Sequence, residues 1–230
     1  MLSCAYYVMK RFWRYVWHGD DLFSWVLSIL IAFLIIKFLF YPALGLALQT
    51  SHPVVAVVSG SMEHKITDVE SSLPTACGKT FAEEEWLDLQ EYWSVCGDWY
   101  ETRSITQDEF ADFPFTHGMN IGDIIVLRNP GVDHIGVGDV IVFIQEQNPR
   151  REPIIHRVVA KNTIDGSVVF QTKGDHNKDS INVSASTKYL NEYEVREADV
   201  VGKALFKIPY VGYLKIWAYK AFIGVRGLFS

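Results

Sequence analysis

The feature that most constrains this chain is a long apolar stretch near its N-terminus. Residues 22–36 are fifteen consecutive residues without a charge, and beyond Lys37 the apolar character resumes through Phe38, Leu39, Phe40 and Tyr41 and again over residues 43–48. Crossing the hydrocarbon of a bilayer needs ~20 mostly apolar residues, which 22–41 supply, with Lys37 close enough to one end to reach headgroups. Pro42 is expected at the membrane exit. A cleaved signal peptide and a buried core helix are the alternatives. The stretch exceeds the ~7–15 residues of a signal-peptide core, and nothing polar recurs along it at a helical period. Lys10, Arg11 and Arg14 precede the span, so the N-terminus is expected in the cytoplasm and the remainder outside, as a single-pass protein of the cell membrane. The aromatics and bases of residues 9–21 suit a short helix at the inner headgroup layer.

This topology bears on the three cysteines. Cys4 falls on the reducing side, whereas Cys77 and Cys96 fall outside, where a disulfide is permitted. Two buried free thiols are the alternative.

The chain holds 230 residues, 49% apolar and 14% aromatic, which excludes a disordered chain and calls for a real core. Its formal charge of −6 is uneven, because residues 65–117 hold twelve acids and three bases while the rest holds 15 acids against 18 bases. An acidic module on a mildly basic body is compatible with a membrane surface. No arginine-rich stripe or basic run appears, which argues against nucleic acid as a partner.

Beyond the span, residues 53–59 read as an apolar strand that stops at Gly60. Short β-branched runs follow at 123–127, 139–144, 154–160, 168–171 and 200–208, separated by turn residues such as Asn129-Pro130-Gly131 and Asp165-Gly166. The fold class expected is mainly β, an all-β domain with an N-terminal transmembrane helix and a small helical insertion. The boundaries are 1–21 cytoplasmic segment, 22–48 anchor, 49–64 with 118–208 β domain, 65–117 acidic insertion and 209–230 membrane-interface segment. In that last segment Tyr213, Ile216, Trp217, Phe222 and Ile223 can form an apolar face, with Lys215, Lys220 and Arg226 reaching headgroups; a second span is the alternative. Within the insertion, Thr80 to Glu83 and Thr106 to Glu109 both have the capping-box pattern of a helix start, and Trp86, Leu89 and Trp93 suggest one apolar helical face. Gly122-Asp123-Ile124-Ile125-Val126 and Gly138-Asp139-Val140-Ile141-Val142 echo each other, and each Asp is expected to fix a turn.

For chemistry, Ser59-Gly60-Ser61-Met62 follows an apolar strand directly. A serine nucleophile needs a tight turn that exposes its oxygen, small neighbours and oxyanion donors, and this tetrapeptide can offer all three. An ordinary turn is its plain alternative. Of seven histidines, His18, His52, His64, His117 and His134 read as parts of loops or tails, whereas His156 lies within the apolar strand Ile154-Ile155-His156-Arg157-Val158-Val159. An imidazole there needs a polar partner. Asp175 and Asp179, on a turn after the next strand, can supply one. HExxH, paired CxxC and GxGxxG are absent, so no metal and no cofactor is expected.

Taken in order, Ser59-Gly60-Ser61-Met62-Glu63, the two Gly-Asp strand entries, Ile155-His156-Arg157-Val158, Thr172-Lys173-Gly174-Asp175 and Val201-Gly202-Lys203-Ala204 followed by Ile208-Pro209-Tyr210-Val211-Gly212 resemble the motif set of type I signal peptidases. His156 stands where the bacterial branch has a general-base lysine, so the resemblance is to the archaeal and endoplasmic-reticulum branch. It implies a serine endopeptidase that removes signal peptides from secretory preproteins after translocation, with signal peptides, the lipid bilayer and the translocation machinery as partners. It further implies Ser61 as nucleophile, His156 as base, Ser59 with the Ser61 amide as oxyanion donors, and Asp179 as the residue orienting His156, while Asp175 shapes the turn. The insertion and the close spacing of Asp175 and Asp179 depart from the family pattern, which leaves both aspartates open as the third member. A repressor-type self-cleaving serine protease is a rival that the membrane span disfavours. A catalytically inactive, membrane-tethered binding subunit is another, disfavoured by the complete Ser, His and Asp set.

Overall fold

The computed structural model describes residues 2–67, 73–146, 152–182 and 190–213, with side chains from residue 6 onward. Cys4's side chain and most of the 209–230 segment therefore lie outside the described residues. The chain divides into two compact units, Met1–Ala47 and Leu48–Ser230.

In the first unit, α1 (Leu2–His18) turns at Gly19 into α2 (Leu22–Ile35). A Cβ on Gly19 would come within 2.6 Å of the Tyr15 carbonyl, so only glycine lets the two helices approach this closely. The Ser24 hydroxyl donates to that same carbonyl at 2.6 Å. A π-type turn, Ile36–Phe40, joins α2 to α3 (Tyr41–Leu48). The helix continues through Pro42 to Leu48. The Tyr41 N–H reaches back to the Ile36 carbonyl, a π-type bond that carries the helix across the junction, and Pro42 stands directly after it, where the wider turn accommodates its ring. Leu22–Leu48 is thus one apolar helix of 27 residues, about 40 Å at 1.5 Å per residue, long enough to cross a bilayer by length and composition.

The second unit is built on a seven-stranded antiparallel sheet. In chain order its elements are β1 (Val54–Ala56), the insertion strands β2 (Lys65–Ile66), β3 (Thr75–Ala76), β4 (Lys79–Thr80) and β5 (Glu85–Trp86), then helices α4 (Leu89–Glu101) and α5 (Gln107–Ala111). They continue with β6 (Ile124–Arg128), β7 (Val140–Phe143), β8 (Ile154–Ile164), β9 (Ser167–Lys173), β10 (Val195–Arg196) and β11 (Val200–Ile208). The sheet order is β1-β6-β11-β7-β8-β9-β10. β11 pairs with both β6 and β7, and its register shifts between Val200 and Gly202 and again between Ala204 and Phe206. Such bulges bend a strand and increase its twist, which curls the sheet. Asp165 and Gly166, both at positive φ, make the tight hairpin between β8 and β9 that the Asp-Gly pair calls for. β7 is buried on both faces: Val140 and Val142 pack with Val55, Met62 and Leu127, and Ile141 and Phe143 pack with Ile135, Val158 and Phe170.

The two Gly-Asp strand entries have the same geometry. Asp123 accepts from the Asn120 N–H at 3.0 Å and Asp139 from the Gly136 N–H at 2.9 Å, each beside a glycine at φ near +90° (Gly122 +91°, Gly138 +92°). The acids shape turns, and Lys203 of β11 adds an ion pair to Asp139 at 2.7 Å.

The insertion packs a core of its own from Tyr92, Trp93, Cys96, Tyr100, Ile105 and Phe110, closed by Val159 of β8. Thr106 and Glu109 form the expected capping box on α5. Thr80, by contrast, starts no helix. It pairs with Thr75 in the β3–β4 hairpin, whose turn residues Cys77 and Gly78 both adopt positive φ, and the box that starts α4 is Asp88 with Glu91. Trp86 accordingly lies exposed on β5, and the buried face of α4 is carried by Tyr92, Trp93, Cys96 and Tyr100. A disulfide joins Cys77 in the hairpin turn to Cys96 of α4.

Candidate active site

Three residues beyond strand β1 the chain is still extended at Ser59, and it then tightens into a single 3-10 turn, Gly60–Met62. The anchor of this turn is Met62, fully buried in the sheet core, whose carbonyl accepts from Met119 at 2.8 Å. Ser61 is consequently held half-exposed at the surface of a packed layer. Its hydroxyl lies 3.0 Å from His156 Nε2 and 3.2 Å from the Ser59 hydroxyl.

His156 comes from β8, where its neighbour across the ladder is Ile141. It is 3% exposed, so its second nitrogen requires a partner inside the protein. That partner is Glu192, whose Oε1 contacts His156 Nδ1. Glu192 is itself fully buried, and its backbone is held by the Thr172 N–H on its carbonyl and by its own N–H on the Ile181 carbonyl, each at 2.8 Å. Its carboxylate also accepts from Thr172 Oγ1 at 3.1 Å and from the Ile181 N–H at 2.7 Å. With a carboxylate on Nδ1 and a hydroxyl on Nε2, the neutral imidazole carries its proton on Nδ1 and offers Nε2 as acceptor.

Neither aspartate named from the sequence occupies this position. Successive side chains of a strand point to opposite faces, so Arg157 turns away from the face on which His156 meets Ser61, and Asp175 goes with Arg157. Arg157 Nε and Nη2 donate to the two oxygens of Asp175 at 2.9 and 2.6 Å, while Nη1 donates to the Pro114 and Gly138 carbonyls. Burial alone would push the Asp175 carboxyl up, but the Arg157 guanidinium and a hydrogen bond with His64 hold it well below the usual carboxylate range. Asp179 is half-exposed and accepts from Trp99 Nε1 at 2.9 Å, Arg103 Nη2 at 3.3 Å and the Ser180 N–H at 2.8 Å.

Sequence reading missed three further residues. Glu192 sits among polar residues in a segment without a motif, and only the pairing of that segment with the end of β9 brings it to His156. His64, read as a loop residue, is buried: its Nε2 lies 3.0 Å from Asp175 and its ring stacks on Tyr92 at 3.6 Å. Burial also pushes its imidazole below the ordinary value. Lys173 is a fully buried lysine whose Nζ donates to the Gly174 and Asp175 carbonyls at 3.0 and 3.2 Å. Desolvation lowers its pKa to about 8 against the opposing pull of Asp175 and Glu192.

Gly174 lies at the tightest point of the site. A Cβ there would sit 2.7 Å from the Ser61 carbonyl and 2.8 Å from His156 Nε2, so any larger residue would push Ser61 and His156 apart. The turn continues to His176, whose N–H donates to the Ser61 carbonyl at 2.9 Å.

Curated proteins resemble part of this chain. It is 32% identical over 120 residues to the signal peptidase complex catalytic subunit SEC11 of Zygosaccharomyces rouxii, which covers 47% of this chain and 68% of that protein.

The chain belongs to the SEC11 family of signal peptidase complex catalytic subunits.

It is also 35% identical over 96 residues to SEC11 of Yarrowia lipolytica and 32% identical over 113 residues to that of Schizosaccharomyces pombe, covering 41% and 42% of this chain. The chain spans 52% and 58% of the length of these two SEC11 proteins. No protein-family model matches the chain. Within a SEC11-family chain, the Ser61, His156 and Glu192 constellation is the one arrangement among the described residues in which a serine hydroxyl meets a histidine backed by a carboxylate.

Proposed function

We propose that this protein is a membrane-bound serine endopeptidase that removes signal peptides from secretory preproteins. The observation that carries this reading is the line of hydrogen bonds from Ser61 Oγ through His156 to Glu192. Ser61 attacks the scissile carbonyl while His156 Nε2 takes its proton, and Glu192 stabilises the imidazolium that forms. His156 then returns the proton to the leaving amine. The acyl-enzyme on Ser61 is hydrolysed by water, with His156 acting as base once more. The Ser59 hydroxyl, 3.2 Å from Ser61 Oγ, and the Ser61 amide are the oxyanion donors in this scheme. Asp175 serves as the fixed partner of Arg157 rather than as part of the proton relay.

The apolar helix Leu22–Leu48 is the anchor. The basic residues Lys10, Arg11 and Arg14 keep the N-terminus cytoplasmic, with Ser61 on the opposite side, where signal peptides emerge from the translocation machinery. A catalytically inactive binding subunit has no chemical need for a buried carboxylate on a histidine that touches serine. The test is to incubate detergent-solubilised full chain with a preprotein and to sequence the N-terminus of the product. Cleavage at one site that Ser61→Ala abolishes supports the reading. An uncleaved preprotein, or cleavage that survives Ser61→Ala, counts against it.

A further inference from the structure

The insertion is the part of the chain that the family resemblance leaves without a role, yet its buried face ends on the active site. The turn 174–176 links the two. On one side it touches the catalytic residues, through the His176 N–H on the Ser61 carbonyl and through the close fit of Gly174 against His156 Nε2. On its other side it is held by insertion residues. Tyr92 Oη donates to the Asp175 carbonyl at 2.8 Å, Tyr100 Oη lies 3.0 Å from Tyr92 Oη and 3.3 Å from Asp175 Oδ1, and the Cys77 N–H donates to the His176 carbonyl at 2.9 Å. Both tyrosines are fully buried, and burial pushes both phenols well above their ordinary value, so they remain hydroxyl donors throughout the working pH range.

We infer that the insertion is a positioning element of the active site, in which the α4 pair Tyr92 and Tyr100 holds the 174–176 turn in register with Ser61 and His156; this rests on the serine-protease reading above.

Three features of the contact support positioning over mere cover. The hydroxyls act on the carbonyl and Oδ1 of one residue, Asp175, whose carboxylate is also gripped by Arg157 on both oxygens and by His64 on Oδ2. The turn has little room to shift, because Gly174 is already closer to His156 and Ser61 than any Cβ permits. The Cys77–Cys96 disulfide ties the hairpin that holds His176 to the helix that holds Asp175, so both grips on the turn move as one body. A small displacement of the turn therefore passes directly into the distance between nucleophile and base, to which turnover is steeply sensitive.

The experiment compares Tyr92→Phe and Tyr100→Phe with wild type in the full-length, detergent-solubilised chain. The variant Glu101→Gln, at the exposed end of α4, is the control within the insertion. Each phenylalanine removes one hydroxyl and keeps the ring packing. Active sites are counted by labelling Ser61 with a fluorophosphonate, so that kcat refers to folded enzyme, and amide exchange is followed over residues 173–178. For Tyr92→Phe the expected result is a kcat lower by about tenfold, equivalent to ~1.4 kcal/mol, with KM within about twofold and faster exchange at His176. An unchanged kcat per active site overturns the inference even if thermal stability falls, because a purely structural role predicts that outcome. Ser61→Ala, run in parallel, separates the two claims. If it is inactive while Tyr92→Phe turns over normally, only the positioning role fails; if it still cleaves, the serine-protease reading fails and this inference with it.

Discussion

Replacing Glu192 by glutamine removes a charge at nearly constant volume, and the structure says which way the new amide must turn. Glu192 Oε2 accepts from the Ile181 N–H at 2.7 Å, so the amide oxygen of a glutamine has to face Ile181, since an NH₂ there would set donor against donor. The NH₂ group then faces His156 Nδ1 and forces that nitrogen to accept. The proton of the neutral imidazole moves to Nε2, where it points at Ser61 and cannot take the serine proton. The wrong tautomer and the lost stabilisation of the imidazolium act together, and in triads this combination costs ~10⁴ in turnover, which is ~5.4 kcal/mol of transition-state stabilisation at 1.36 kcal/mol per tenfold. Single-turnover cleavage of a preprotein by Glu192→Gln measures it, with thermal unfolding alongside. A rate within about tenfold of wild type would refute the assignment of Glu192 and the tautomer argument with it.

Asp179→Asn is expected to cleave at close to the wild-type rate and to lose no more than about 1 kcal/mol of stability, because its ion pair with Arg103 is half-exposed; a large loss of turnover would return Asp179 to the catalytic set. Replacing Cys77 and Cys96 by serine opens a loop of sequence separation 19 and is expected to cost ~3 kcal/mol in denaturant unfolding; an unchanged midpoint contradicts this. Lys173 titrates at about 8 in the folded chain against an ordinary value of 10.5, so between these pH values the unfolded chain binds more protons and stability gains from rising pH. The melting temperature of wild type relative to Lys173→Met should therefore improve from pH 7 to pH 9.5, and a constant difference would argue against the shifted lysine.

The strands were legible because β-branched runs bounded by Gly, Asp and Pro have few other ways to fold: β11 runs over 200–208 as read, and Asp165-Gly166 makes the hairpin its two positive φ angles require. Ser61 and His156 could be singled out because each stands out locally, a serine in a glycine turn and a polar ring in an apolar strand. Glu192 could not. Its role arises from the pairing of a remote segment with β9, and a contact of that kind leaves no trace in spacing. Asp175 was found as a position but not as a partner. The alternation along β8 that turns Arg157 away from His156 decides which of the two neighbours it serves. Thr80 and Asp88 show the limit of a motif that both satisfy, since the hairpin turn at Cys77-Gly78 draws Thr80 into a strand and leaves the cap to Asp88.

The central claim is that Ser61 and His156 work as one catalytic unit, and the most direct test is a double-mutant cycle on preprotein cleavage. Rates are measured for wild type, Ser61→Ala, His156→Ala and the double variant, each confirmed folded by its thermal transition. The account predicts that either single change lowers turnover by ~10⁶ and that the double variant is hardly slower than either. Near-normal cleavage by His156→Ala, or losses that multiply in the double variant, would contradict it.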